Sequence, residues 1–147
     1  MSEHSSSIEI EAAPHVVFDY LITPQGMIAW MGQHAVLEPR PGGVFEVDIA
    51  GSPIRGQYLE VTPPHRVVVS WGVAGSADLP PGASTVAFTL SPTARGTLVE
   101  VVHSGLPDPQ LAGHVDGWAH FLARLVVTAQ GGDAGDDDWM PLAPAPP

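Results

Sequence analysis

The C-terminal part of the chain carries apolar residues at helical spacing. Between Gly105 and Gln130 they recur every three or four positions and form one continuous stripe, made of Leu111, Val115, Trp118, Leu122, Leu125 and Ala129. At about 1.5 Å per residue, a helix from about Asp108 to Gln130 would be roughly 30 Å long. Asp108 followed by Pro109 is typical of a helix start, as N-cap and first-turn residue. The pattern therefore predicts one long amphipathic helix.

Most of the preceding sequence alternates between apolar and polar residues, which is the period of half-buried strands. The alternation predicts strands over residues 5–11, 35–38, 44–49, 54–61, 66–73, 84–90 and 97–103. Ala13-Pro14 and Thr23-Pro24 predict two short helices after the first strand, because proline is tolerated in a first helical turn. The connections between strands are short, which favours an antiparallel meander. A long helix that follows such strands must lie across a curved sheet to bury its stripe, an arrangement that commonly leaves a cavity.

Blocks of turn and core residues, in order from about Ile8 to Leu125, resemble those of a known superfamily. They are Ile8-Glu9-Ile10 with Ala13-Pro14, Leu21-Ile22-Thr23-Pro24 leading to Trp30, Pro41-Gly42-Gly43-Val44-Phe45, residues 56–61, residues 63–67, Ser70-Trp71, residues 96–100, residues 103–106 and Gly117-Trp118. They are similar to the START and birch-pollen-allergen (SRPBCC) superfamily, in the stand-alone bacterial branch named after the activator of the Hsp90 ATPase.

The resemblance implies an α+β helix-grip fold. In that fold a curved antiparallel sheet of about six to seven strands wraps around a long C-terminal helix, with two short helices after the first strand. It implies much less about function, because the superfamily hosts ligand carriers, cyclases, dehydratases, hydroxylase subunits and chaperone partners.

Charge and composition narrow the range of partners. Sixteen acidic residues stand against five arginines and no lysine, which gives a net charge of -11. The arginines are scattered singly, whereas phosphate backbones and anionic membranes attract clustered cations, so we expect binding to neither nucleic acid nor membrane. The chain has no cysteine, which excludes thiolate nucleophiles and thiolate metal ligands. With no long apolar run and no basic leader, we expect a cytoplasmic protein.

The composition changes near residue 130. We expect a single domain over residues 1–130, followed by a tail over residues 131–147 that is first acidic and then rich in proline and alanine. Trp139 and Met140 are unusual in a fully solvated tail, so docking of these two side chains on a surface is the alternative.

The candidate ligand contacts are the large or polar residues expected to face the cavity. They are Trp30, Phe45, Tyr58, Glu60, Trp71, Phe88, His103, His114, Trp118 and Phe121. Aromatic side chains are more often core than ligand contacts, and we expect at least half of these to be plain packing. His103 is in phase with the apolar face of its strand, so it either points into the cavity or is a buried histidine satisfied by its neighbours. Glu60 is either an inward acid or a surface acid near a turn.

The polar residues of the long helix leave similar alternatives open. Asp116 and His120 are four residues apart and can meet as a pair, either in a site or as a solvated surface contact. His114 and His120 are six apart and lie on different faces, so no metal site is expected. Gly113 and Gly117 each cost ~1 kcal/mol against alanine inside a helix, which suggests a close approach or a bend at the cavity entrance.

The leading hypothesis is binding of a small, mostly apolar molecule between the helix and the sheet, in a cavity above ~300 Å³. The alternative is an enzyme of the cyclase, dehydratase or hydrolase type that acts on an aromatic or polyketide-like substrate, with His103, Glu60 or Tyr58 as acid or base. A third possibility is a protein-interaction or stress-related domain that uses the tail. No phosphate-binding loop or dinucleotide fingerprint is present, so no cofactor is expected, and a homodimer is left open.

Overall fold

A computed structural model describes residues 2–141. Along the chain its elements are β1 (Ser2–Ile10), α1 (Pro14–Ile22), α2 (Pro24–Trp30), β2 (His34–Leu37), β3 (Val44–Ile49), β4 (Ser52–Thr62), β5 (Arg66–Val73), β6 (Ser84–Pro92), β7 (Thr97–Leu106) and α3 (Asp108–Ala129). The strands form one antiparallel sheet in the order β1-β7-β6-β5-β4-β3-β2. The predicted α+β helix-grip arrangement is thereby confirmed. Within residues 2–141, no helix combines the length and the apolar character needed to cross a bilayer.

The ends of the helices follow the sequence signals with one exception. Thr23 caps α2 as predicted, because its hydroxyl oxygen accepts a hydrogen bond from the Gly26 amide at 3.1 Å. The predicted cap of α3, Asp108, instead lies inside the first helical turn, and Pro107 takes the N-cap position. The Asp108 carboxylate accepts a hydrogen bond from the Ser2 hydroxyl of β1, and no side chain caps the amides at the start of α3.

Aromatic residues fill the centre of the interface between the sheet and the helices. Trp30, Phe45, Tyr58 and Phe88 are almost completely buried. The Tyr58 hydroxyl donates to the carbonyl of Leu21 at 2.9 Å, and the Trp30 indole donates to a carbonyl of α1 at 2.9 Å. Both polar atoms are thus satisfied by backbone, and Tyr58 attaches α1 to the sheet while Trp30 attaches α2 to α1.

After α3 the chain reverses and runs back along the helix. Gly131 adopts a φ of +92°, the left-handed conformation that commonly ends helices, and its amide donates to the Thr128 carbonyl at 3.0 Å. The part of the predicted tail that the structure describes, residues 131–141, is called here the C-terminal segment. Trp139 of this segment docks on α3, whereas Met140 is 66% exposed. The remaining tail positions, 142–147, lie outside the described residues.

Candidate functional site

A cavity of about 120 Å³ lies between α3 and the sheet. The sheet contributes Ile49, Ile54 and Trp71, the helix contributes Gly117, Trp118 and Phe121, the C-terminal segment contributes Trp139 and Pro141, and the polar lining residues are Ser52, Gln110 and His114. The cavity is smaller than the ~300 Å³ expected for a small-molecule site. The reason is that large rings meet between helix and sheet: the Trp71 and Trp118 centroids are 5.6 Å apart, and the Phe88 and Trp118 centroids are 5.7 Å apart.

The ten predicted contact residues divide into three groups. Trp71, His114, Trp118 and Phe121 line the cavity. Trp30, Phe45, Tyr58, Phe88 and His103 are buried, but they lie elsewhere in the core and do not border the cavity. Glu60 is the tenth, and it lies on the outer surface.

The position of Glu60 follows from an irregularity in β4. Its pairing with β5 shifts register between Tyr58 and Glu60, so the simple alternation of strand faces is interrupted there. Tyr58, before the shift, is buried, whereas Glu60, after it, forms an ion pair with Arg66 at 3.2 Å and accepts a hydrogen bond from Thr62 at 3.0 Å. The inward orientation that would make Glu60 a ligand anchor is therefore not what the structure has.

His103 is fully buried and makes a hydrogen bond through each ring nitrogen. Its Nδ1 accepts from the Trp118 indole at 3.0 Å, and its Nε2 lies 2.9 Å from the Ser84 hydroxyl, which itself donates to the Trp71 carbonyl at 2.8 Å. This chain of donors requires the neutral tautomer with its proton on Nε2. Burial, and then the charges on the nearby imidazoles of His114 and His4, lower the pKa of His103 to about 3. His103 is thus a neutral bridge that ties α3 to the sheet.

His114 stands on the cavity wall but is also engaged at both nitrogens. Its Nδ1 donates to the Gln110 carbonyl at 2.8 Å, and its Nε2 accepts from the Trp71 indole at 3.3 Å. Burial lowers the pKa of His114; the bond to Gln110 opposes this effect and the neighbouring His4 adds to it. At neutral pH the ring is therefore an uncharged, fixed part of the lining.

Asp116 and His120 serve a purpose that the sequence did not indicate. Rather than pairing with each other, each holds the C-terminal segment: Asp116 accepts from the Trp139 indole at 3.0 Å, and His120 Nε2 lies 2.9 Å from the Asp137 carboxylate. Burial on its own would raise the pKa of Asp137, but hydrogen bonds from His120 and the Trp139 amide, and the charges of His120 and Arg124, outweigh it and lower that pKa.

Arg124 also holds the C-terminal segment, a role that the sequence pattern does not indicate. Its guanidinium donates to the carbonyls of Ala134 and Gly135 at 3.0 and 2.8 Å, and it lies 3.6 Å from the Asp137 carboxylate. An isolated arginine on a helix carries no signal for such backbone contacts. The sequence carried one signal for docking of the C-terminal segment, which is the aromatic Trp139 among acidic residues.

The chain matches a known protein family and is similar to several solved structures. The family model described as "Activator of Hsp90 ATPase homolog 1-like protein" (AHSA1) matches residues 11–130. The solution structure of an AHSA1-like protein from Rhizobium etli is 40% identical, over 95% of this chain and 88% of that chain, with a TM-score of 0.76. CalU16 from Micromonospora echinospora is 26% identical, over 88% of this chain and 73% of that chain, with a TM-score of 0.70.

A third similar structure is the Aha1 dimer from Colwellia psychrerythraea, at 19% identity over 90% of this chain and 98% of that chain, with a TM-score of 0.80. No curated protein matches the chain. The family match ends at residue 130, so the C-terminal segment lies outside it.

Proposed function

We propose that this chain, which belongs to the Activator of Hsp90 ATPase homolog 1-like protein family, binds a small, mostly apolar molecule in the cavity between α3 and the sheet. The observation that carries the proposal is the cavity of about 120 Å³ with its mainly apolar lining. An engineered apolar cavity of about 150 Å³ in another protein takes up benzene, so this volume suits a single ring.

The lining also contains polar groups that could orient a bound ligand. Ligand sites are mostly apolar and carry a few polar groups that set direction. Ser52 and Gln110 supply a hydroxyl and an amide at the cavity, whereas both nitrogens of His114 are already bonded. A ring that carries one hydrogen-bonding substituent matches this distribution.

The contacts of the candidate acid–base residues favour binding over catalysis. Acid–base catalysis requires groups that reach one substrate within hydrogen-bond distance. Both ring nitrogens of His103 are already hydrogen-bonded, and the Tyr58 hydroxyl donates to a backbone carbonyl while burial raises its pKa. Glu60 is paired with Arg66 on the outer surface. An enzymatic role on an aromatic or polyketide-like substrate would have to use other groups.

Phenol is a suitable first probe, because it joins one apolar ring to one hydroxyl. Titration of isotope-labelled protein, followed by amide NMR shifts, should give saturable changes at Ile54, Gly117 and Phe121. Replacement of Val73, a lining residue, by phenylalanine fills the cavity and should remove these changes. Shifts scattered over the surface, or shifts that persist in Val73→Phe, would exclude the cavity as the binding site.

Assembly and cellular location follow from the same comparisons and from the sheet edges only as proposals. We propose a homodimer, supported by the dimeric state in which the Colwellia relative was solved and by the sheet-edge positions of β1 and β2, which leave strand backbone groups open to pairing. Native mass spectrometry of freshly purified protein measures the assembly and any retained small molecule together. A cytoplasmic location stays a prediction, and localisation of a tagged chain would test it.

A further inference from the structure

The C-terminal segment forms one wall of the cavity. Trp139 and Pro141 line it together with residues of α3 and the sheet, and the Trp139 ring lies 5.0 Å from that of Phe121, centroid to centroid. The segment therefore contributes directly to the space in which a ligand would sit.

Several polar contacts hold this wall in one place. Arg124, whose side chain is only 13% exposed, fixes two carbonyls of the segment, and Asp137 is bonded both to His120 and to the amide of Trp139 at 3.1 Å. The Trp139 indole then donates to Asp116. Bonds to charged groups are stronger than neutral ones, and together they fix the Trp139 ring in one orientation.

The helix is shaped to receive the indole. A Cβ built at Gly117 would stand 3.4 and 3.5 Å from two atoms of the Trp139 ring, which is van der Waals contact. The ring thus packs directly against α3 at a position with no side chain, where alanine would still fit and a side chain larger than alanine would push the ring outward. This contact is a close approach of the kind that the sequence suggested for Gly117.

We infer that Trp139 sets the upper size limit of the ligand, so that the intact site accepts one aromatic ring with a small polar substituent and rejects fused rings. The inference rests on the proposed function. With Trp139 in place the volume is about 120 Å³, close to what a single ring fills. The indole is itself a fused bicyclic ring, so its removal would open additional space suited to a second ring.

Phenol and 1-naphthol test the inference, because they share the hydroxyl and differ by one fused ring. Calorimetric or NMR titrations use the full chain and its Trp139→Ala variant, with Met140→Ala as the matched control because Met140 is exposed and does not line the cavity. We expect the intact protein to bind phenol and to show no saturable binding of 1-naphthol. Trp139→Ala should bind 1-naphthol at least tenfold more tightly than the intact protein, and Met140→Ala should behave as the intact protein does.

Three other results would overturn the inference, and the first two differ in what they say about the proposed function. If the intact protein binds phenol but 1-naphthol affinity is equal in both chains, Trp139 does not limit ligand size, while the site itself stands. If neither probe binds any variant, the proposed function fails and the inference fails with it. Trp139→Phe, which keeps an aromatic ring of smaller size, should give an intermediate 1-naphthol affinity. An affinity for Trp139→Phe outside the range set by the other two chains also contradicts the size argument.

Discussion

The indole of Trp139 lies nearly parallel to the imidazole of His120, with 5.6 Å between ring centroids and 16° between ring planes. The same imidazole is bonded to Asp137, so one helical residue holds both an aromatic ring and an acid of the C-terminal segment. Contacts that share a partner support one another. Loss of any one of these contacts should therefore loosen the whole segment.

Replacement of Asp116 by alanine should weaken the docking of the segment without unfolding the domain. The change removes the acceptor of the Trp139 indole, a bond worth about 0.5–1.5 kcal/mol. Amide hydrogen exchange over residues 133–140 should accelerate roughly twofold to tenfold, since about 1.4 kcal/mol corresponds to a factor of ten. Asp138→Ala removes a neighbouring acid for which the described residues show no hydrogen bond, and it should leave exchange unchanged. Equal exchange in both variants would contradict the role of Asp116.

Acid should release the segment through Asp137. Its pKa is lowered in the folded chain, so its contribution to docking is present above the unfolded pKa of about 4 and is lost as the pH falls through the folded value. The indole proton resonance of Trp139 should therefore move toward its solvent-exposed position as the pH decreases from 5 to 3.

Asp137→Asn provides the control for this titration. It removes the titrating group, so docking should be weaker at neutral pH and should change less between pH 5 and 3. The same pH profile in both chains would exclude Asp137 as the group responsible.

The fold could be predicted from the sequence because strand alternation and the helical stripe are local patterns. The bounds of β3 and β5 were predicted to the residue. Local alternation failed at Glu60, where a register shift in β4 changes the face that the next residues occupy. Such shifts depend on the pairing with β5, which periodicity in one strand does not encode.

The candidate site was predictable only in part, for a related reason. Large aromatics on inner faces are buried whether or not they border a cavity, so the sequence could not separate Trp71 and Phe121 from Phe45 and Phe88. The contacts of Arg124 with the Ala134 and Gly135 carbonyls involve backbone atoms, which have no sequence signature. The wall formed by the C-terminal segment therefore becomes visible only in three dimensions.

Stability should fall as the pH decreases from 7 to 5 because His103 is neutral in the core. Its folded pKa of about 3 lies below the usual 6.5, so its stabilising contribution is present above about pH 6.5 and is lost as the pH falls. Over this range the expected loss is about 1–2 kcal/mol. Urea unfolding at pH 7, 6 and 5 measures it, above the range in which Asp137 acts.

His103→Gln isolates this contribution, since an amide can still accept from Trp118 and donate to Ser84 but does not titrate. The variant should show a smaller pH dependence between 7 and 5, with part of the slope remaining from His114, whose pKa is also lowered by burial. His15→Gln, at an exposed position, should keep the full slope. An unchanged slope in His103→Gln would show that another group is responsible.

Gly117→Ala should stabilise the domain and weaken ligand binding at the same time. Alanine removes a glycine cost of about 0.5–1 kcal/mol within α3. The new methyl group would meet the Trp139 ring at 3.4–3.5 Å, an ordinary contact, so the segment stays docked. Because position 117 lines the cavity, the methyl also takes up space, and phenol affinity should fall severalfold.

Urea unfolding and phenol titration measure the two effects. Ala119→Gly, at an exposed position of the same helix, should destabilise by a similar amount and leave phenol affinity unchanged. If Gly117→Ala alters neither quantity, position 117 neither carries a glycine cost in α3 nor shapes the cavity.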